Sequence, residues 1–279
     1  MTVAVVVDSS SGITKEVAEA YHLRVVPLHL MWGKKEYADW VDLTPEEFHA
    51  RLKVEKEVWP TTSGSVQGEF LKVFEELRGK VDGVVAITLS PDTPSAGYRS
   101  AIMARDMTEG IPIEVVDSHS TVTALGLVAT AAAQAATAGA SLEEVVEAAQ
   151  SVIPRMNLFF NVGSITYLLK GGRVGESEVG LKEDSYILTI KEGKITPIEK
   201  YPTREEARRR LRELVGEKAR KDTPLHAGLF HAAARQDAEE LKEEIASEYD
   251  CAELWIGEAS PVAAIHLSPD SLGVAFYNE

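Results

Sequence analysis

Apolar residues follow two alternating rhythms through the first half of the chain. Val3–Val7, Val25–Met31, Val84–Leu89 and Ile113–Val116 are short, β-branched and nearly unbroken, as expected for strands covered on both faces. Between them apolar positions recur at helical spacing. Thr44-Pro45-Glu46-Glu47 is a capping box with proline at the first helical position, and Phe48 and Leu52 follow on one face. Phe70, Val73, Phe74 and Leu77 form a stripe in a helix predicted from Gly68 to Leu77. Ser141-Leu142-Glu143-Glu144 opens another, backed by Val145, Val146, Ala149, Val152 and Ile153. This alternation predicts a parallel sheet covered by helices.

Near Pro154 the rhythm changes. Tyr186–Lys191 and Lys194–Glu199 flank Glu192-Gly193 and read as a β-hairpin. Thr203-Arg204-Glu205-Glu206 caps a helix that turns Ala207, Leu211, Leu214 and Val215 inward. A strand around Ala227–Ala232, a helix from Asp237 to Tyr249, and short strands near Leu254–Ile256 and Gly273–Phe276 complete an α+β layer. The expected fold class is α/β plus α+β in two domains. Residues 1–155 form a parallel-sheet domain, and residues 156–279 a largely antiparallel-sheet domain. A length of 279 residues suits two domains.

Composition narrows the function classes. With 44% hydrophobic and 26% charged residues, the chain can bury a core without covalent staples. Its one cysteine, Cys251, excludes an internal disulfide framework and a cysteine zinc cluster. A net charge of −15 argues against nucleic acid, whose binding rests on clustered Lys and Arg, and against docking on anionic membranes. The N-terminus has no basic n-region and Asp8 cuts its apolar run short, so no signal peptide is expected. The stretch from Ala124 to Ala140 is too rich in Ala, Thr and Gln to span a bilayer. A cytoplasmic location is the expectation.

Candidate chemistry gathers where strands run into helices. The segments are Asp8-Ser9-Ser10-Ser11-Gly12, Pro60-Thr61-Thr62-Ser63-Gly64-Ser65 after Trp59, Ser90 to Gly97, and Asp117-Ser118-His119-Ser120-Thr121. In an open parallel sheet such ends share one edge, where ligands bind. Helix N-termini there suit a carboxylate or phosphate. Ordinary N-caps explain any one of these segments, but the consecutive Thr-Thr-Ser exceeds what one cap requires. Lys170-Gly171-Gly172-Arg173 reads either as a glycine turn presenting a guanidinium to a bound acid or as a helix C-cap with a surface arginine. His266 is placed at the end of an apolar strand, where a core or turn role is the ordinary one. The histidines show no H-E-x-x-H spacing, so no metal site is expected. Nucleophile-elbow, phosphate-loop and dinucleotide-loop motifs are absent from the sequence. Arg208-Arg209-Arg210 reads as a solvated helix face.

Asp8-Ser9-Ser10, Pro60-Thr61-Thr62-Ser63, Asp117-Ser118, Lys170-Gly171-Gly172-Arg173 and His266 with Leu272-Gly273 occur in this order over the whole chain. Together they resemble the DegV family of bacterial fatty-acid-binding proteins. The resemblance implies a long-chain fatty acid in a tunnel between the two domains, and no cofactor. In some members a separate ATP-binding kinase subunit phosphorylates the carboxyl group. By the same resemblance Thr62, with Ser63, and Ser95 hold the carboxylate, and Arg173 and His266 match the family arginine and histidine near the acid head. Ser9 and Ser118, on the other hydroxyl-bearing strand ends, complete the candidate ligand-binding set.

Where the family has Ile-Ser-Ser-x-Leu-Ser-Gly-Thr-Tyr, this chain has Leu89 to Tyr98, with an extra residue and two prolines. Anchoring on Tyr98-Arg99-Ser100-Ala101 puts Ser95 at the family serine, and a local shift makes it Ser90. The segment after Arg173 is short and acidic (Glu176, Glu178, Glu183, Asp184), where the family has a longer apolar stretch. About fourteen buried methylenes contribute on the order of 11 kcal/mol before ordering costs, so the hydroxyls need only orient the head group. A fatty-acid carrier is the favoured reading. The alternatives are a stand-alone serine hydrolase or acyltransferase using Ser95 with His266, and a lipid-responsive interaction protein with no kinase partner.

Overall fold

The computed structural model describes residues 2–55, 57–62, 66–92, 96–175, 184–191 and 193–279. In chain order the N-terminal half runs β1 (Val3–Asp8), α1 (Lys15–Ala20), β2 (Arg24–Val26), β3 (His29–Trp32), β4 (Lys35–Ala38), α2 (Pro45–Val54), β5 (Thr61–Thr62), α3 (Gln67–Leu77), β6 (Gly83–Thr88), α4 (Gly97–Met107), β7 (Ile113–Asp117), α5 (Val122–Thr137) and α6 (Leu142–Val152). The C-terminal half continues with β8 (Asn157–Val162), α7 (Thr166–Lys170), β9 (Ser185–Lys191), β10 (Lys194–Tyr201), α8 (Arg204–Lys218), β11 (Leu225–Ala232), α9 (Arg235–Glu248), β12 (Cys251–Glu258), α10 (Pro261–Ala264) and β13 (Ser271–Asn278).

The caps legible in the sequence are formed. Thr44 and Ser141 each accept from the amide three residues on, and Glu47 and Glu144 reach back to the cap amides. Thr203 accepts from the Glu206 amide. These bonds satisfy backbone donors that a helix start leaves open. The parallel sheet has the order β2-β1-β6-β7, and the second sheet has the order β10-β9-β8-β13-β11-β12. The second sheet is antiparallel except where β11 and β12 run parallel across the α9 crossover.

The pattern misleads in three places. Val25–Met31 is not one strand: β2 joins the parallel sheet, while β3 turns away into an antiparallel sheet of order β4-β3-β5. Pro27 lies between them and has no N–H for a ladder. His266 follows the short helix α10, capped by Ser260, and does not end a strand. Arg208 is buried on α8, where it pairs with Asp237 and donates to the Asp270 carbonyl, so the arginine run is not wholly solvated.

The alanine-rich stretch is the central helix α5, with every residue from Val122 to Ala133 buried. It packs against β1 and β6 on one side and β11 and β13 on the other. A helix enclosed by two layers has no need of a polar stripe, which is why no periodicity marked it. The two halves meet without side-chain spacers. A Cβ on Gly257 would lie 1.9 Å from the Gly12 carbonyl oxygen, and one on Gly126 would lie 2.8 Å from both the Ser11 carbonyl oxygen and the Trp255 ring. A Cβ on Gly228 would lie 3.0 Å from the Trp255 ring, and Thr123 on α5 donates to the Gly228 carbonyl at 2.8 Å.

Candidate functional site

Between the halves lies a cavity whose empty space, open mouth included, is about 740 Å³. Its wall is mainly apolar. Val66, Leu89 and Val122 come from the N-terminal half, and Phe160, Phe230 and Leu267 from the C-terminal half. Phe160 on β8 and Phe230 on β11 both pair with Gly273 on the strand between them. A Cβ on Gly273 would fall 2.2 Å from the Phe230 ring, so the missing side chain allows the two rings to converge, with centroids 5.9 Å apart.

Polar groups reach the same cavity from separate segments. Thr62 lines it from β5, which pairs with β3 by Leu30 opposite Thr62. The preceding turn is held against α7: the Trp59 and Tyr167 rings lie 4.9 Å apart, and the Lys170 ammonium sits 4.2 Å over the Trp59 ring. α7 ends at Gly171, and Gly172 takes a left-handed conformation (φ 66°) that turns Arg173 into the wall. His266 closes on the same point. A Cβ on Gly171 would lie 1.9 Å from its Nδ1, so the first glycine of the pair makes room for the imidazole.

The electrostatics of this corner are distinctive. His266 is buried and neither ring nitrogen has a hydrogen-bond partner among the described residues. Burial pushes its pKa down to about 3, and the nearby charge of Arg173 adds to the effect. Burial lowers Arg173 to about 10, which leaves it a cation at neutral pH. The corner therefore offers one partly desolvated guanidinium, a neutral imidazole with a free donor, and a threonine hydroxyl. An anion entering it gains a cation and donors together.

Thr62, Arg173 and His266 thus share one wall. Ser63 and Ser95 lie outside the described residues, as do Glu176, Glu178 and Glu183 after Arg173; Ala96 and Gly97 do line the cavity. Ser9 and Ser118 do not. Ser9 donates to Asp39 at 2.6 Å and accepts from the Leu28 amide, while Ser118 closes a local turn with Ser120. Ser10, next to Ser9, and Thr121, three residues after Ser118, take the places on the wall. Ser90 is buried off the cavity, under Gly193 of the β9–β10 turn, whose Cβ would lie 2.3 Å from its hydroxyl. The strand ends of β1, β6 and β7 are neighbours as expected, but the Thr61–Thr62 segment belongs to the antiparallel sheet. Sequence reasoning missed Phe160 and Phe230, and gave Gly273 no place at the cavity, because their convergence depends on cross-strand register.

Among the described residues no group of three or more His, Cys, Asp or Glu is placed to hold a metal ion, and no helix is long and apolar enough to cross a membrane.

The family model described as "Uncharacterised protein, DegV family" matches residues 2–279. A DegV domain-containing protein of Caldanaerobacter subterraneus subsp. tengcongensis is 32% identical over 277 residues, 98% of each chain. The solved structure of DegV from Bacillus subtilis, described as a fatty acid binding protein, superimposes with a TM-score of 0.91 at 29% identity, covering 100% of both chains. A Thermus thermophilus structure, described as fatty acid binding of a DegV family protein, does so with a TM-score of 0.90 at 25% identity, again over 100% of both chains.

Proposed function

The chain belongs to the DegV family, and from that premise we propose that it is a carrier for one long-chain fatty acid. The observation that carries the reading is the cavity itself: a mainly apolar wall that includes Phe160 and Phe230, with Thr62, Arg173 and His266 among its polar lining. The acyl chain lies against the apolar wall, and desolvation of its methylenes supplies most of the affinity. Arg173 balances the carboxylate, while Thr62 and the neutral His266 donate to its oxygens, with Ser95 and Ser63 as further donors. Relatives described as binding fatty acid support the same assignment.

The carrier delivers its cargo to a separate kinase subunit. There a carboxylate oxygen attacks the γ-phosphorus of bound ATP, ADP departs, and an acyl phosphate remains in the cavity. The sequence lacks a phosphate-loop motif, in keeping with ATP being held by another chain.

Mass spectrometry of freshly purified protein tests the reading. The expected result is one fatty-acid mass under native conditions that disappears on denaturation. A bare mass that gains nothing on incubation with oleate or palmitate overturns it. Thr62→Ala with Ser95→Ala should abolish retention. Stoichiometric labelling by a fluorophosphonate probe would instead favour a serine hydrolase.

A further inference from the structure

Asp39 follows β4 and is only 1% exposed. Its Oδ2 accepts from the Ser9 hydroxyl at 2.6 Å, and its Oδ1 accepts from the Val262 amide at 3.1 Å. Its own amide donates to the Leu28 carbonyl at 2.8 Å. Asp39 therefore joins three segments: its carboxyl ties the end of β1 to the start of α10, and its amide holds the β2–β3 connection. No salt bridge to it occurs among the described residues, and Asp8 is the charge that acts on it. A buried carboxylate without a cation is costly, so a tie that served only to pack would be better made from neutral groups.

The tied segments are the cavity wall. Leu28 lines it from the β2–β3 connection, and Val262, Ala263, His266 and Leu267 line it from α10 and the residues just after it. α10 is a single turn, and the His266 amide donates back to the Ala263 carbonyl at 3.0 Å. A shift at Val262 therefore reaches the imidazole within one turn. On its other side Asp39 borders a separate cleft of about 1300 Å³.

We propose that Asp39 is a positioning residue for the ligand site: by accepting from Ser9 and Val262, its carboxylate fixes α10, and so His266, against the cavity, and ligand retention depends on its acceptor state. This role rests on the carrier reading. The charged and titratable groups that face it are Asp8 at the end of β1, Lys15 and Glu16 on α1, Arg235 on α9 and Glu258 on β12, the last four across the outer cleft.

An ionised Asp39 accepts from both donors. Protonation turns one of its acceptors into a donor: the Ser9 hydroxyl can turn to accept, but the Val262 amide can only donate, so the bonding around Asp39 must rearrange. Burial raises the Asp39 pKa to about 7, so this exchange falls near neutrality. Because the folded value is raised, the fold gains stability from Asp39 at low pH and loses it as pH rises through about 7. Retention moves the opposite way and tightens as the carboxylate ionises. A packing residue would move both together.

The test measures oleate dissociation constants and ligand-free thermal midpoints at pH 6 and pH 8.5. It compares the wild type with Asp39→Asn, which keeps the shape but places an amide donor against the Ser9 and Val262 donors. The wild type should hold oleate more tightly at pH 8.5 than at pH 6, beyond the change seen in Asp39→Asn. At pH 8.5 the variant should bind about tenfold more weakly, with a ligand-free midpoint equal to or above the wild type. Unchanged affinity overturns the role, as does an affinity loss matched by a fall in the ligand-free midpoint. Ser9→Ala is the second variant, since it removes one donor and leaves the charge. It should weaken retention less and move the inflection to higher pH, and an unmoved inflection counts against the role. A wild type that holds no oleate refutes the carrier reading itself and this role with it.

Discussion

Replacing Gly171 with alanine tests how the acid corner is built. Gly171 has φ −80° and ψ −1°, a conformation alanine adopts freely, so the backbone does not resist the change. Intrinsic helix preference even favours alanine, by about 1 kcal/mol. The obstacle is the imidazole: the new methyl would lie 1.9 Å from His266 Nδ1 and 2.6 Å from Cε1. The residue is only 9% exposed, so the ring can yield only by turning further into the cavity and giving up its place against Gly171. Overpacking of this kind costs about 1–3 kcal/mol. In a His266→Ala background the ring is gone and the methyl fits, so the same substitution should cost almost nothing. The double-mutant cycle should then show a coupling of about 1–3 kcal/mol, or about 5- to 150-fold in the unfolding equilibrium. Urea denaturation of the four proteins, with unchanged slopes, measures it. Equal costs for Gly171→Ala in both backgrounds would refute the argument that the glycine exists to admit the histidine.

Other consequences can be checked by similar means. Loading with oleate should raise the His266 pKa from about 3, because a carboxylate favours the imidazolium; NMR titration of the ring protons reads the change. Burial opposes charge on His226, yet Glu253 and Glu279 outweigh it and raise its pKa. Its stabilisation is present below the unfolded value of 6.5 and fades as pH rises through the higher folded value. The midpoint difference between wild type and His226→Gln should therefore shrink from pH 6 to pH 9, and a constant difference would contradict the ion-pair account. Gly257→Ala should cost about 1–3 kcal/mol or more, since its methyl meets backbone that cannot rotate away, and an unshifted denaturation midpoint would argue against the close approach. Ser141→Ala should cost about 1 kcal/mol through loss of the α6 cap, read from the same denaturation curves.

Local chemistry made much of this molecule legible. Thr44, Ser141 and Thr203 announce their helices because a cap is satisfied within one turn of chain. β1 and β6 announce themselves because double burial leaves no polar alternation to confuse the pattern. Features that depend on distant partners were not legible. α5 lost its periodicity because two sheets enclose it. Pro27 separates two strands that one apolar run had joined. Ser9 and Ser10 cannot be told apart in sequence, yet one is spent on Asp39 and the other faces the cavity. Thr62, Arg173 and His266 were singled out from the family resemblance, and the geometry that joins them runs through Trp59, Tyr167 and Gly171, none of which carries site chemistry of its own.

The contact between the halves has an evolutionary consequence. At Gly12, Gly126, Gly228 and Gly257 there is no side chain to trim, so every substitution adds volume, and at Gly257 the obstacle is main chain rather than a side chain that a second mutation can shorten. Compensation is blocked there, and the spacing between the layers is held nearly constant under drift. The cavity wall is free of that constraint. Phe160, Phe230 and Val66 carry side chains that can be shortened, and each shortening would deepen or widen the chamber. A lineage carrying this seam can therefore diversify the length and shape of the molecules it accommodates while the frame that holds the acid corner together stays unchanged.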